Sequence, residues 1–277
     1  CTIENITFRN GVGSNVFGLV RGGAIYAEFT QLTIRNCRFE SNRVDMQEFD
    51  LGAIGGAICG FYSDLFIEDC EFEGNHSDEL GGAVYSTTAS MLEITNCTFV
   101  DNRAEMYGGG IATDAMSMLV ADCMFNGNFA GGYGAGIYSL GSEDEPQGHA
   151  SEVTNCIFRR NSASWAGYGM GGGIAVQYFQ TMDVSNSVFE DNYGYVAGAI
   201  CGGGTEGGTV TLSTSAFCGN SLNDFWGDVN DTGTNTFEQS CWCSPDADND
   251  GVVAVGDLLI VIGSWNSFNP DADTNND

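Results

Sequence analysis

Leu32-Thr-Ile34-Arg-Asn36-Cys37-Arg-Phe39-Glu-Ser-Asn42, followed at Gly55-Gly56-Ala57-Ile58 by a second phrase, decides the fold of this chain. Leu32 and Ile34 alternate with period two, and so do Cys37 and Phe39, but the step from Ile34 to Cys37 is three. Two short strands either side of a sharp corner give that shift of phase, whereas a helix would place apolar residues three and four apart. The phrase recurs. Its phenylalanines fall at 8, 39, 72, 99, 125, 158, 189 and 217, giving spacings of 31, 33, 27, 26, 33, 31 and 28 residues. A period near 30 with variable loops marks a solenoid, because a unit so short buries a core only by stacking on its neighbours.

The corner before the cysteine position reads Asn5, Asn36, Asp69, Asn96, Asp122, Asn155 and Asn186. Asparagine and aspartate tolerate the left-handed backbone that a sharp corner needs. A second asparagine follows each phenylalanine, at 42, 75, 102, 128, 161, 192 and 220. In coils about 4.8 Å apart, these amides are placed to bond to one another as a ladder. The glycine phrase (Gly22–Ile25, Gly55–Ile58, Gly81–Val84, Gly108–Ile111, Gly134–Ile137, Gly171–Ile174, with Ala197–Ile200) supplies a third strand with an inward isoleucine. The pattern predicts an all-β chain: a right-handed parallel β-helix of about eight coils over residues 1–244.

Eleven cysteines are present. Cys37, Cys70, Cys97, Cys123 and Cys156 share one repeat position with Ile6, Ser187 and Ser215, so they read as a buried column of small free thiols. Cys218, Cys241 and Cys243 lie where the repeat decays, and one disulfide among them would close the solenoid's end. The net charge is −29, with eight arginines and no lysine. That excludes nucleic acid as a partner and disfavours anionic membrane. No apolar run approaches the ~20 residues of a membrane helix, so no direct membrane insertion is expected. The chain begins at Cys1 inside a repeat and reads as a piece of a longer protein.

The paired Gly-Gly-Ala-Ile and Phe-x-x-Asn phrases over residues 1 to about 220 resemble the repeats of polymorphic outer membrane proteins, on a pectin-lyase-like β-helix. That resemblance implies the surface-exposed passenger of a secreted adhesin, with surface glycans or envelope proteins as partners. Specificity belongs in the loops that exceed the minimal coil: 11–21, 43–54 and 162–170 on one edge, and Ser139 to Ser151 on another, the last carrying Glu143, Asp144, Glu145 and His149. The alternative is a polysaccharide-active lyase or hydrolase on the same fold. Lyases need a strong base, and the only basic doublet is Arg159-Arg160. Hydrolases need paired carboxylates, and pairs such as Glu68-Asp69 and Glu190-Asp191 fall at repeat positions.

After Pro245 the character changes. Asp246-Ala-Asp248-Asn-Asp250-Gly251-Val252, ending at Asp257, has the spacing of a calcium loop. Carboxylates stand at positions 1, 3, 5 and 12, glycine at 6, and the carbonyl of Val252 at 7. Leu258, Leu259, Ile262 and Trp265 follow at helical spacing, and Asp273, Asn275 and Asp277 open a second copy. A loop plus one following helix resembles half of a dockerin. Residues 245–277 are therefore expected to be a Ca2+-dependent attachment module with a truncated second half. The whole reads as a secreted or cell-surface adhesin or extracellular scaffold.

Overall fold

The computed structural model describes residues 1–46, 51–87, 91–114, 117–141, 150–164, 169–178, 180–203 and 208–238. The chain divides into two units, Cys1–Phe237 and Glu238–Asp277. The expected calcium ligands Asp246, Asp248, Asp250, Val252, Asp257, Asp273, Asn275 and Asp277 lie outside the described residues, as do Cys241, Cys243 and residues 142–149.

The first unit is built of parallel strands, with one exception described below. The first wall runs through Thr2–Glu4, Gln31–Arg35, Asp64–Glu68, Met91–Thr95, Ser117–Ala121, Ala150–Thr154, Thr181–Ser185 and Thr209–Ser213. The second runs from Thr7–Arg9 through Arg38–Glu40, Glu71–Glu73, Thr98–Val100, Met124–Asn126, Ile157–Arg159 and Val188–Glu190 to Ala216–Cys218 and Thr236–Glu238. The third runs from Ile25–Glu28 through Ile58–Phe61, Val84–Thr87, Ile111–Thr113, Ile137–Leu140 and Ile174–Gln177 to Ile200–Gly202. One further strand, Phe225–Asp231, pairs with both Ile200–Gly202 and Thr209–Ser213 and so joins the first and third walls at the far end.

The left-handed corner falls where the sequence places it: φ is 58° at Asn5, 48° at Asn36, 55° at Asp69, 51° at Asn96, 56° at Asp122, 53° at Asn155 and 49° at Asn186. The second corner differs in detail. There the left-handed residue is the one before the asparagine, namely Ser41, Gly74, Asp101, Gly127, Arg160, Asp191 and Gly219. This turns the asparagine itself inward. Asn42, Asn75, Asn102, Asn128, Asn161 and Asn192 are buried, and each uses its whole amide. For Asn102, Oδ1 accepts both the backbone N–H (3.0 Å) and the Nδ2–H (2.9 Å) of Asn75. Its own Nδ2 donates to Phe72 O (3.0 Å) and Asn128 Oδ1 (3.0 Å). The polar groups of this corner thereby enter the core without a desolvation penalty left uncompensated.

Beside the ladder, the phenylalanines pair in register from Phe8 to Phe217. Phe72, Phe99 and Phe125 are fully buried, with ring centroids 4.7 Å apart and planes within 4° of parallel. In the glycine phrase the first residue has positive φ (69° at Gly55, 68° at Gly108), and the second stands too close to the next coil for a side chain. A Cβ on Gly56 would sit 2.0 Å from Gly82 O.

Two features were not read from the repeat. A fourth set of two-residue strands, Arg43–Val44, His76–Ser77, Arg103–Ala104, Phe129–Ala130, Ser162–Ala163 and Tyr193–Gly194, follows the asparagine corner. Residues 11–21 fold into an antiparallel hairpin, Ser14–Val16 with Leu19–Arg21, which pairs in turn with Gly52–Ile54.

Removing Asn102 would leave the Asn75 backbone N–H without its acceptor in the core, worth about 1–3 kcal/mol, and would also take a hydrogen bond from Asn75 Nδ2, Phe72 O and Asn128 Oδ1. Asn102→Ala is therefore expected to cost several kcal/mol, comparable with the about 3–5 kcal/mol of Phe99→Ala. Asn36→Ala, at an exposed corner, should cost about 1–2 kcal/mol, the strain of a left-handed alanine. Urea denaturation of the three variants checks the ranking.

Candidate binding surface

With both interior columns closed, three places among the described residues come first: the thiol column, the outer face of the third wall and the outer face of the first wall. The thiols are stacked as expected. Sγ of Cys70 lies 3.4 Å from Cys37 N, Sγ of Cys97 lies 3.3 Å from Cys70 N, and Sγ of Cys123 lies 3.4 Å from Cys97 N. They are more than small hydrophobes, since each sulfur accepts a backbone N–H from the adjacent coil. Serine does the same job better, which explains Ser187 and Ser215 in the same position: their hydroxyls accept from Cys156 N (3.1 Å) and Ser187 N (3.2 Å). Ile6, assigned to this position as a buried side chain, is instead 45% exposed in the first coil. Cys218 is disulfide-bonded, while Cys1, Cys37, Cys59, Cys70, Cys97, Cys123, Cys156 and Cys201 are free. Cys97 is buried and its sulfur is bonded within the column, so it is out of reach as a nucleophile.

Outside the third wall the residues between the inward isoleucines form their own column: Tyr26, Cys59, Tyr85, Ala112, Tyr138, Ala175 and Cys201. Leu80, Tyr107, Tyr133 and Met170 pack over it as a second, smaller apolar cluster, with Tyr107 and Tyr133 stacked at 5.1 Å. At one end Arg21 is only 5% exposed. Its guanidinium lies 4.4 Å from the Phe61 ring centre and donates to Tyr26 Oη at 2.6 Å. Aromatic rings thus occupy the face an incoming anion would need. Burial pushes Cys59 and Cys201 up to about 12.

The first wall's outer face is open. A trough of about 350 Å³ there is lined by Gln31, Thr33, Arg35, Phe66, Glu68, Glu93 and Thr95. Arg35 lies 2.9 Å from Glu68 and 3.8 Å from Glu4, all about half exposed. The arginine is therefore already matched by carboxylates, although at such exposure the pairing adds little stability. The same holds elsewhere: Arg9 and Arg38 meet Glu40, Arg43 meets Asp45, Arg103 meets Glu105, and Arg159 meets Glu190 at 3.1 Å. Arg160, the other half of the basic doublet, sits at a corner with φ 52°. Glu68 and Asp69 separate likewise: the first pairs with Arg35 and the second accepts from Asn96 Nδ2 at 2.5 Å.

A family model described as a right-handed β-helix region matches residues 1–146 and again 77–222. The chain belongs to that right-handed β-helix family. Its repeat also resembles part of the probable autotransporter YfaL of Escherichia coli (strain K12), 39% identical over 93 residues. That stretch is 32% of this chain but only 7% of the relative. No solved structure matches the chain. Among the described residues of this β-helix, no helix is long and apolar enough to cross a membrane.

The thiols dictate a pH response. Cys59 and Cys201 rise from an ordinary 9.0 to about 12 in the fold, so the neutral form is favoured there. Below about pH 9 the unfolded thiols are protonated too, and this contribution to stability is complete. Above it the unfolded state ionises first and stability falls through the window up to about 12. Denaturation midpoints should drop over that range, and iodoacetamide at pH 8 should label Cys1 at once but the seven buried thiols only on unfolding.

Proposed function

We propose that this β-helix is the exposed shaft of a secreted or cell-surface protein, serving as an adhesin or extracellular scaffold. The similarity of its repeats to part of a probable autotransporter carries this reading. The surface is consistent with it. The open trough presents Phe66 for stacking against a ring, with Gln31, Thr33 and Thr95 as hydrogen-bonding neighbours. Surface glycans fit such a face, and polar envelope proteins are the other class of partner. Six of the eight arginines pair with carboxylates and Arg21 is buried among aromatic rings, and this favours binding over the lyase or hydrolase alternative.

Residues 245–277 would provide the attachment. Asp246, Asp248, Asp250 and Asp257 with the Val252 carbonyl make an all-oxygen donor set, the preference of Ca2+. Asp273, Asn275 and Asp277 would begin a second loop. Bound calcium would neutralise clustered carboxylates, and its binding energy would also be folding energy for the segment.

Two experiments test the reading. Limited proteolysis should cut within 245–277 in EDTA and spare it in calcium, with the solenoid intact in both; identical patterns would rule out the calcium module. A glycan array coupled to a product assay should show retention without turnover, reduced about tenfold or more by Phe66→Ala. Release of unsaturated or hydrolysed sugar would establish the enzyme instead.

A further inference from the structure

The first three rungs of the short fourth sheet carry Arg43, His76 and Arg103 at one register position, and the later rungs carry Phe129, Ser162 and Tyr193. Arg43–Val44, His76–Ser77 and Arg103–Ala104 are consecutive rungs in register. On the outer two rungs an arginine pairs with the acid two residues on: Arg43 with Asp45, and Arg103 with Glu105 at 2.6 Å. On the middle rung the cation is replaced by an imidazole. His76 Nε2 lies 2.9 Å from Asp78 Oδ1 and 3.8 Å from Asp45 Oδ1, the second carboxylate coming from the coil before. One nitrogen with one proton serves one acceptor, yet two carboxylates converge on it.

We propose that Asp45, His76 and Asp78 form a binding site for a first-row divalent cation, with Zn2+ as its natural occupant. The three ligating atoms lie within 4.8 Å of one another. Tetrahedral zinc with bonds of about 2.0–2.1 Å holds its ligand atoms roughly 3.3–3.4 Å apart. The separations of 2.9 and 3.8 Å fall either side of that edge, and the metal would take Asp45 Oδ1 over from Arg43 Nε, which bonds it here. His76 is 13% exposed at its side chain, Asp78 26% and Asp45 37%, which leaves a fourth position to water.

The supports are already built. Asp78 Oδ2 accepts the Met46 N–H at 2.7 Å, which aims Oδ1 at the imidazole. Ser77, between the two ligands, points inward, donates to Ala53 O at 2.7 Å and accepts the Glu79 N–H at 3.3 Å, pinning the backbone that carries them. Such outer contacts tune metal affinity. The charge balance also suits a dication: Asp45, Asp78, Glu79 and Glu105 outnumber Arg43 and Arg103 by two. An imidazole nitrogen with two carboxylates selects borderline metals rather than calcium, so this site is independent of the C-terminal loop.

The test titrates Zn2+ alone into the full chain held in saturating Ca2+, with Co2+ as a visible-spectrum reporter. His76→Arg installs the residue of the neighbouring rungs and should keep the fold; Asp45→Asn is the second variant should that one fail. The wild type is expected to bind one more equivalent of Zn2+ than either variant, or to bind it at least about tenfold more tightly. Its Co2+ complex should show d–d absorption without thiolate charge transfer. Zn2+ isotherms unchanged by both substitutions overturn the proposal, and so does a Co2+ spectrum dominated by thiolate.

Discussion

The asparagine ladder is the constraint on which the rest of this solenoid depends. A sharp corner between two short strands exposes backbone groups to the interior, where water cannot reach them. Each buried amide closes that account by taking two hydrogens from the coil before it and giving two, one of them to a phenylalanine carbonyl. The ladder holds only if every coil is stacked on the last in a fixed register. That register in turn puts phenylalanine on phenylalanine and sulfur on backbone amide. The core is thus set by polar bonding at its corner as much as by apolar area.

The exterior follows from the same stacking. Because coils superpose, outward residues also form columns, and each outer column becomes a surface with one character. The third wall's is tyrosine alternating with small residues and is sealed by its own loops. The first wall's is polar and open around Phe66. The short fourth sheet's begins with two arginine–carboxylate pairs flanking His76 and continues with Phe129, Ser162 and Tyr193. A solenoid can therefore place functional groups coil by coil without disturbing its interior.

Much of this was legible in the sequence, because a stacked coil writes its geometry repeatedly. Asn36 and its equivalents announced the left-handed corner, and Phe39 and its equivalents the core. What escaped was whatever occurs once or needs a partner from another coil. The hairpin at 14–21 is a single insertion. Cys59 and Tyr85 directly follow the glycine phrase, and the loop residues that cover their column lie elsewhere in the chain. Cysteine and serine looked like a loose preference for small residues until the amide that both accept from was in view. The convergence of Asp45 on His76 crosses coils 31 residues apart in sequence, and no local spacing reveals it.

A double-mutant cycle tests the stacking most directly. Asn102 and Asn128 share a hydrogen bond, whereas Asn102 and Asn192 lie three coils apart. Alanine substitutions at Asn102 and Asn128 should couple by about 0.5–3 kcal/mol, and those at Asn102 and Asn192 should add within roughly 0.5 kcal/mol. Equal additivity for both pairs would contradict the ladder and the solenoid built upon it.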